Sequence, residues 1–358
     1  MFRSLPKFQR FKSKRKGNIW QLFRATDFES LMYPCFAVCC ILGMFPYKIN
    51  ALNIQICKPY YVLSTIITSV YCCYTLITMY MLNFHKEIVY AKLSLTKMLQ
   101  ENYFLITGGV TVAATFILSK PRMRLIQTIM ELSLRLSSES YQNLSRLIHA
   151  KDIFGLIFIF MEMLIIFYSR PEDILTKMFL LYNIISLFQM DMLYMNCVCV
   201  LKACFKQIND ILTNLQKLIV ANDKPYHLRK TYYEQRNPFL LMNLKALQKQ
   251  HLAISDTARM LKIIFSLQLL FSMTMSFTQT TFNLYFYLMQ IQPGVPMKIN
   301  EKQIFFNYLI ESVIYGIIKL SLILWACETG KNQAVEINTT VHNVLNTTSD
   351  KQIKYEVD

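Results

Sequence analysis

Six stretches of this chain are apolar over the length that a helix needs to cross a bilayer, and they restrict its fold more than any other feature. A crossing helix takes about 20 residues at about 1.5 Å each, with about 17 as the lower limit. Residues 61–82, 103–119 and 263–289 carry no charge at all. Residues 153–169 carry Glu162, residues 178–201 carry Asp191, and residues 304–327 carry Glu311 and Lys319. None of them alternates with period two, which excludes a β-barrel. The chain is 54% hydrophobic and only 17% charged, against about 25% charged in soluble domains, so a water-soluble globule is excluded as well. Collagen-like and charged disordered classes lack this apolar mass. The fold class is all-α: a polytopic membrane helix bundle with six spanning helices.

A further apolar run, 31–47, is short and broken by Pro34, Gly43 and Pro46. Charge decides how to read it. With six crossings and a cytosolic N-terminus, 30 Lys and Arg fall on the cytosolic side and 6 outside, which obeys the positive-inside bias. If 31–47 also crossed, either the eight basic residues of the first 30 or both large basic loops would lie outside. The run therefore reads as an N-terminal re-entrant or interfacial helix. The same division disposes of nucleic acid as a partner, because the net charge of +16 is spread over loops on one side of a membrane and forms no stripe. The basic first 30 residues have no apolar core region, so no cleavable signal peptide is expected.

The chain then divides into a basic cytosolic N-terminus (1–30), the re-entrant or interfacial helix and a linker (31–60), transmembrane helices 1–4 (61–201), cytosolic helical extensions and a linker (202–262), transmembrane helices 5–6 (263–327) and a cytosolic tail (328–358). Residues 202–219 continue the fourth span as an amphipathic helix, with Phe205, Ile208, Ile211, Leu212, Leu215, Leu218 and Ile219 on one face. The polar stretch 222–238, with Pro225 and Pro238, reads as a linker. Leu241, Leu244, Leu247, Ala258 and Leu261 then mark a helix entering the fifth span. These apolar cytosolic faces need partners. A second subunit and the rest of the same chain are both open as the answer.

The ten cysteines show no zinc-type spacing and the five histidines lie in polar segments, so no metal and no cofactor is expected. The acceptor patterns at Asn143, Asn338 and Asn346 fall on the cytosolic side and read as chance matches for glycosylation. No nucleophile elbow, zinc-protease pair or phosphate-binding glycine loop occurs, and His149 with Asp152 lacks a nucleophile, so the chain is not read as an enzyme.

Ionisable groups within a span cost at least a few kcal/mol, which makes Glu162, Asp191 and Lys319 candidates for function. Lys319 can neutralise either carboxylate. On the fifth span Gln268, Ser272, Ser276, Gln279 and Asn283 share one helical face, and on the sixth Asn307, Glu311, Tyr315 and Lys319 recur every four residues. If the two stripes face each other, Gln279, Asn283, Asn307 and Glu311 lie in the outer half, where with Tyr287 they would contact a small ligand. Interhelical hydrogen bonding accounts for the same stripes, and both readings stand.

Several segments together resemble insect gustatory receptors. They are Ile41-Leu42-Gly43-Met44-Phe45-Pro46-Tyr47, His149-Ala150-Lys151-Asp152-Ile153, Met190-Asp191-Met192-Leu193-Tyr194-Met195-Asn196-Cys197, Cys204-Phe205-Lys206-Gln207-Ile208-Asn209-Asp210, Ala326-Cys327-Glu328 and Val341-His342-Asn343-Val344-Leu345. The resemblance runs from about residue 20 to about residue 348. It implies a seven-transmembrane chemosensory ion channel with a cytosolic N-terminus, sited in the plasma membrane of sensory neurons. It also implies a homo- or hetero-tetramer gated by a small-molecule tastant, a sugar or a bitter compound. The family's C-terminal seventh helix, with its Thr-Tyr and Gln-Phe, has no counterpart before Asp358; a truncated product, a splice form or an incomplete gene model would explain it, and such a chain is not expected to conduct alone. A multi-pass transporter of a small polar solute is the alternative, favoured by the three intramembrane charges. A G-protein-coupled receptor would need an external N-terminus.

Overall fold

The computed structural model describes residues 24–50, 53–84, 95–169, 173–222, 230–291 and 299–347. The first helix, α1 (Phe28–Ile41), begins at a capping box: Ser30 N–H donates to Asp27 Oδ1 at 2.7 Å, and Asp27 N–H donates back to Ser30 Oγ at 3.2 Å. It ends where Gly43 takes a φ of 70°, a left-handed turn that only glycine adopts without cost. Met44 N–H then closes on the Cys39 carbonyl at 2.8 Å. With 14 residues, α1 is about 21 Å long and too short to cross. Phe28, Leu31, Met32, Cys35, Phe36 and Cys39 are buried, and the helix packs against the bundle.

An antiparallel hairpin follows, β1 (Tyr47–Asn50) and β2 (Asn53–Ile56), with Tyr47 opposite Ile56. It occupies part of what reads in the sequence as a linker. Four residues per strand are too few to show a period, so the strands had no sequence signature. The hairpin is fixed by aromatic packing: the Phe36 and Phe45 rings stack with centroids 4.8 Å apart, and Tyr47 meets Phe45 edge-on at 5.0 Å.

Among the described residues the remaining helices are α2 (Lys58–Phe84), α3 (Leu95–Ile117), α4 (Ser119–Ser133), α5 (Ser138–Ser169), α6 (Ile174–Asn222), α7 (Lys230–Ile291) and α8 (Ile299–Thr347). Each of the six apolar stretches falls on these helices, the second running from α3 to the first residue of α4. Among the described residues, α2, α6, α7 and α8 are each long and apolar enough to cross a membrane, and α3 with α4 satisfies the same requirement as one pair bent by 57°. The stretch 153–169 forms the second half of α5, a helix outside that set. The bundle is thus polytopic: by length and composition, four helices among the described residues qualify to cross, or five if the bent pair is one span. The bend has a chemical cause. Pro121 has no N–H to give the Ile117 carbonyl one turn back, so the helical ladder breaks between α3 and α4.

Helix α6 is the centre of the bundle: 83% of its most apolar window is buried, against 17% in α2. Accordingly α2 turns Val62, Ile66, Val70 and Ile77 outward, while Ser64, Tyr71 and Thr75 face the protein. That inversion of the soluble pattern suits a helix wetted by lipid. Gly155 lets α5 come close to α6. A Cβ there would run into the Phe188 ring and sit 2.6 Å from Met192 Cε.

Helix α7 starts at Lys230, so residues 230–238, which read as linker, are helical despite Pro238. Residues 223–229 lie outside the described residues. Past the apolar stretches, α6, α7 and α8 bury Leu212, Leu215, Leu247, Ile254 and Ile337 against one another. Thr340 Oγ1 donates to Asn209 Oδ1 at 2.6 Å, joining α8 to α6. The chain therefore covers much of the apolar face that α6, α7 and α8 carry past the apolar stretches.

Candidate ligand groove and buried ion pair

Of the three intramembrane charges, two meet. Lys319 Nζ lies 3.1 Å from Asp191 Oδ2. Ser272 on α7 donates its hydroxyl to the same Asp191 oxygen at 2.5 Å. Lys319 also donates to the Ser272 carbonyl at 3.2 Å and to Ser276 Oγ at 3.3 Å. One node thus ties α6, α7 and α8 together, and it explains why these residue types occur at these places. A lone charge there would be prohibitively desolvated, whereas a hydrogen-bonded pair is tolerated. Asp191 Oδ1 is buried without a hydrogen-bond partner among the described residues.

The inner parts of the two polar stripes do face each other, through Ser272, Ser276 and Lys319. The stripes then part. Gln268 turns to α3, accepting a hydrogen bond from Thr115 Oγ1 at 3.2 Å. Asn307 and Glu311 line a groove of about 470 Å³ whose opposite wall is α5, with Phe158, Met161 and Glu162. Tyr315 forms part of this groove, and its ring centroid is 5.5 Å from Lys319 Nζ, within cation–π range. Groove and ion pair are therefore neighbours through one side chain.

Gln279, Asn283 and Tyr287 are half-buried on α7 and are not among the residues lining this groove. Tyr287 packs on Phe306 with ring centroids 5.6 Å apart, near the start of α8. The sequence-based set is thus divided: Asn307, Glu311 and Glu162 come together, while the three α7 residues stand apart from them. Reasoning from paired stripes overlooked the α5 wall, including Phe158 and Met161. The carboxylate at Glu162 within an otherwise apolar span was the one available pointer to that wall.

A second polar cluster links α5 to α6. Lys151 Nζ contacts Asp152 Oδ1 at 2.6 Å, and Asn196 Nδ2 donates to Asp152 Oδ2 at 3.1 Å. It lies at the start of the predicted third span, joins the two helices there and does not line the groove.

A helical bundle that crosses the membrane, with an apolar groove carrying a few polar groups and a charged node beside it, defines a membrane protein of the receptor or transporter class. Within that class the chain belongs to the 7tm Chemosensory receptor family, whose description matches residues 32–358. No curated protein matches it. The family is one of chemosensory receptors, and membership implies recognition of small-molecule ligands.

Proposed function

We propose that this chain is a gustatory receptor subunit of the plasma membrane of sensory neurons, binding a small tastant in the α5–α8 groove and gating cations as part of a tetramer. The observation that carries the reading is the placement of Glu162, Asn307 and Glu311 in one groove of about 470 Å³, a volume in the usual range for small-molecule sites. Two carboxylates and an amide on apolar walls suit a ligand with hydroxyl or ammonium donors, which covers sugars and basic bitter compounds. Tyr315 offers a route from the groove to the node that holds α6, α7 and α8 together. A ligand that moves Tyr315 would change the environment of Lys319, which gives binding a lever on helix packing. The ligand residues on α7, Gln279, Asn283 and Tyr287, remain part of the proposal as a second wall reached through the Tyr287–Phe306 contact.

A transporter of a small polar solute is less well supported, because Asp191 and Lys319 neutralise each other and are committed to joining helices. The test is binding of a tastant panel to the full chain in nanodiscs. Glu311→Gln and Asn307→Leu are expected to weaken binding about tenfold or more while surface delivery persists. Loss confined to Gln279→Ala and Asn283→Leu would move the site to the α7–α8 side. Affinity unchanged in all four variants would overturn the ligand site.

A further inference from the structure

A second cavity lies at the cytosolic end of the bundle, between the start of α5, the part of α6 just past its apolar stretch, and α8. Its volume is about 510 Å³. Lys202 and Lys206 line it from α6 and Ser140 from α5, with Glu139 and Asp210 at its polar side and Trp325 at its apolar side. Lys202 Nζ sits 5.6 Å from the centre of the Trp325 ring. Among the described residues neither lysine has a carboxylate within salt-bridge distance, although two acids line the same cavity. The lysines are therefore available to an anion.

Position says which anion. Lys202 directly follows the apolar stretch 178–201, and Trp325 lies two residues before the end of 304–327. Both belong at the depth of the lipid headgroups, where tryptophan concentrates. Leu144 and Leu147 extend the apolar side of the cavity, and Leu147 is 38% exposed, as a surface touching acyl chains would be.

We propose that this cavity binds the headgroup of an anionic glycerophospholipid of the cytosolic leaflet, of the phosphatidylserine type. Two ammonium groups match its phosphate and its carboxylate. Glu139 and Asp210 match its ammonium, a donor that phosphatidylcholine lacks. The amphipathic lining fits a ligand that is charged at one end and oily at the other, and the cytosolic leaflet supplies such lipids in abundance. The assignment rests on the cytosolic placement of this end of the bundle, which a topology measurement tests separately.

The experiment uses the full chain in nanodiscs of phosphatidylcholine doped with phosphatidylserine, reading retained lipid by native mass spectrometry. The wild-type chain is expected to retain phosphatidylserine over phosphatidylcholine, and Lys202→Gln with Lys206→Gln to reduce that preference about tenfold. Lys217→Gln with Lys249→Gln, equal in charge and exposed on the same side, is expected to leave it unchanged, as is the elution profile of both pairs. Equal loss in the two pairs would show diffuse surface attraction and overturn the site, as would no loss in either. Soluble glycerophosphoserine binding as tightly as the lipid would overturn the membrane source.

Discussion

Lys319 on α8 and Asp191 on α6 lie 3.1 Å apart with side chains only 7% and 2% exposed. Such a pair adds little net stability over a well-packed apolar pair, but removing one partner strands the other charge at a cost of about 3–5 kcal/mol. Lys319→Met alone and Asp191→Leu alone are each expected to lower the thermal midpoint and the fraction of monodisperse protein, and the double variant to recover much of both. A double variant as damaged as the sum of the singles would refute the pairing.

Gly155 predicts a steric threshold between α5 and α6. Val in its place has to displace Phe188 and Met192, an overpacking cost of about 1–3 kcal/mol. Gly155→Ala is expected to be milder than Gly155→Val, and Phe188→Ala to rescue part of the Val defect in a melting series. Equal tolerance of Ala and Val would mean that the two helices are further apart.

His251 lies where α6, α7 and α8 pack together past the apolar stretches, with its ring 5.7 Å from that of Phe205, and burial lowers its pKa from the usual 6.5. The folded state therefore holds the neutral ring. Its contribution is complete above about pH 6.5, where the unfolded chain is also neutral, and is lost as pH falls through the lowered folded value. The thermal midpoint of the wild-type chain is expected to drop more steeply below that pH than that of His251→Gln. Parallel profiles would exclude the histidine as a contributor.

The division of Lys and Arg predicts that an N-terminal tag is stained only after permeabilisation, and that a tag after Asp358 behaves the same way. Staining of the N-terminal tag on intact cells would reverse the orientation and move the proposed lipid cavity to the other leaflet.

Some of this was legible in the residues because it is local. Whether 61–82 or 263–289 prefers lipid depends on the segment's own side chains against the solvent, so composition suffices, and Lys319 was recognisable as a group in need of a carboxylate. The partner was not: Asp191 and Glu162 have the same chemistry in the sequence, and only the packing of α6 against α7 and α8 brings Asp191 to Lys319, while that of α5 beside α8 puts Glu162 in the groove. The same holds for Asn307 and Glu311, whose helical spacing fixed their shared face but not what that face meets. Helix period is a property of one segment, whereas the choice of α5 over α7 as their neighbour depends on the rotation and crossing of several helices at once. Likewise the amphipathic cytosolic faces announced that they needed cover, and the tertiary structure decided that the chain itself supplies much of it, because α6, α7 and α8 continue side by side past the apolar stretches.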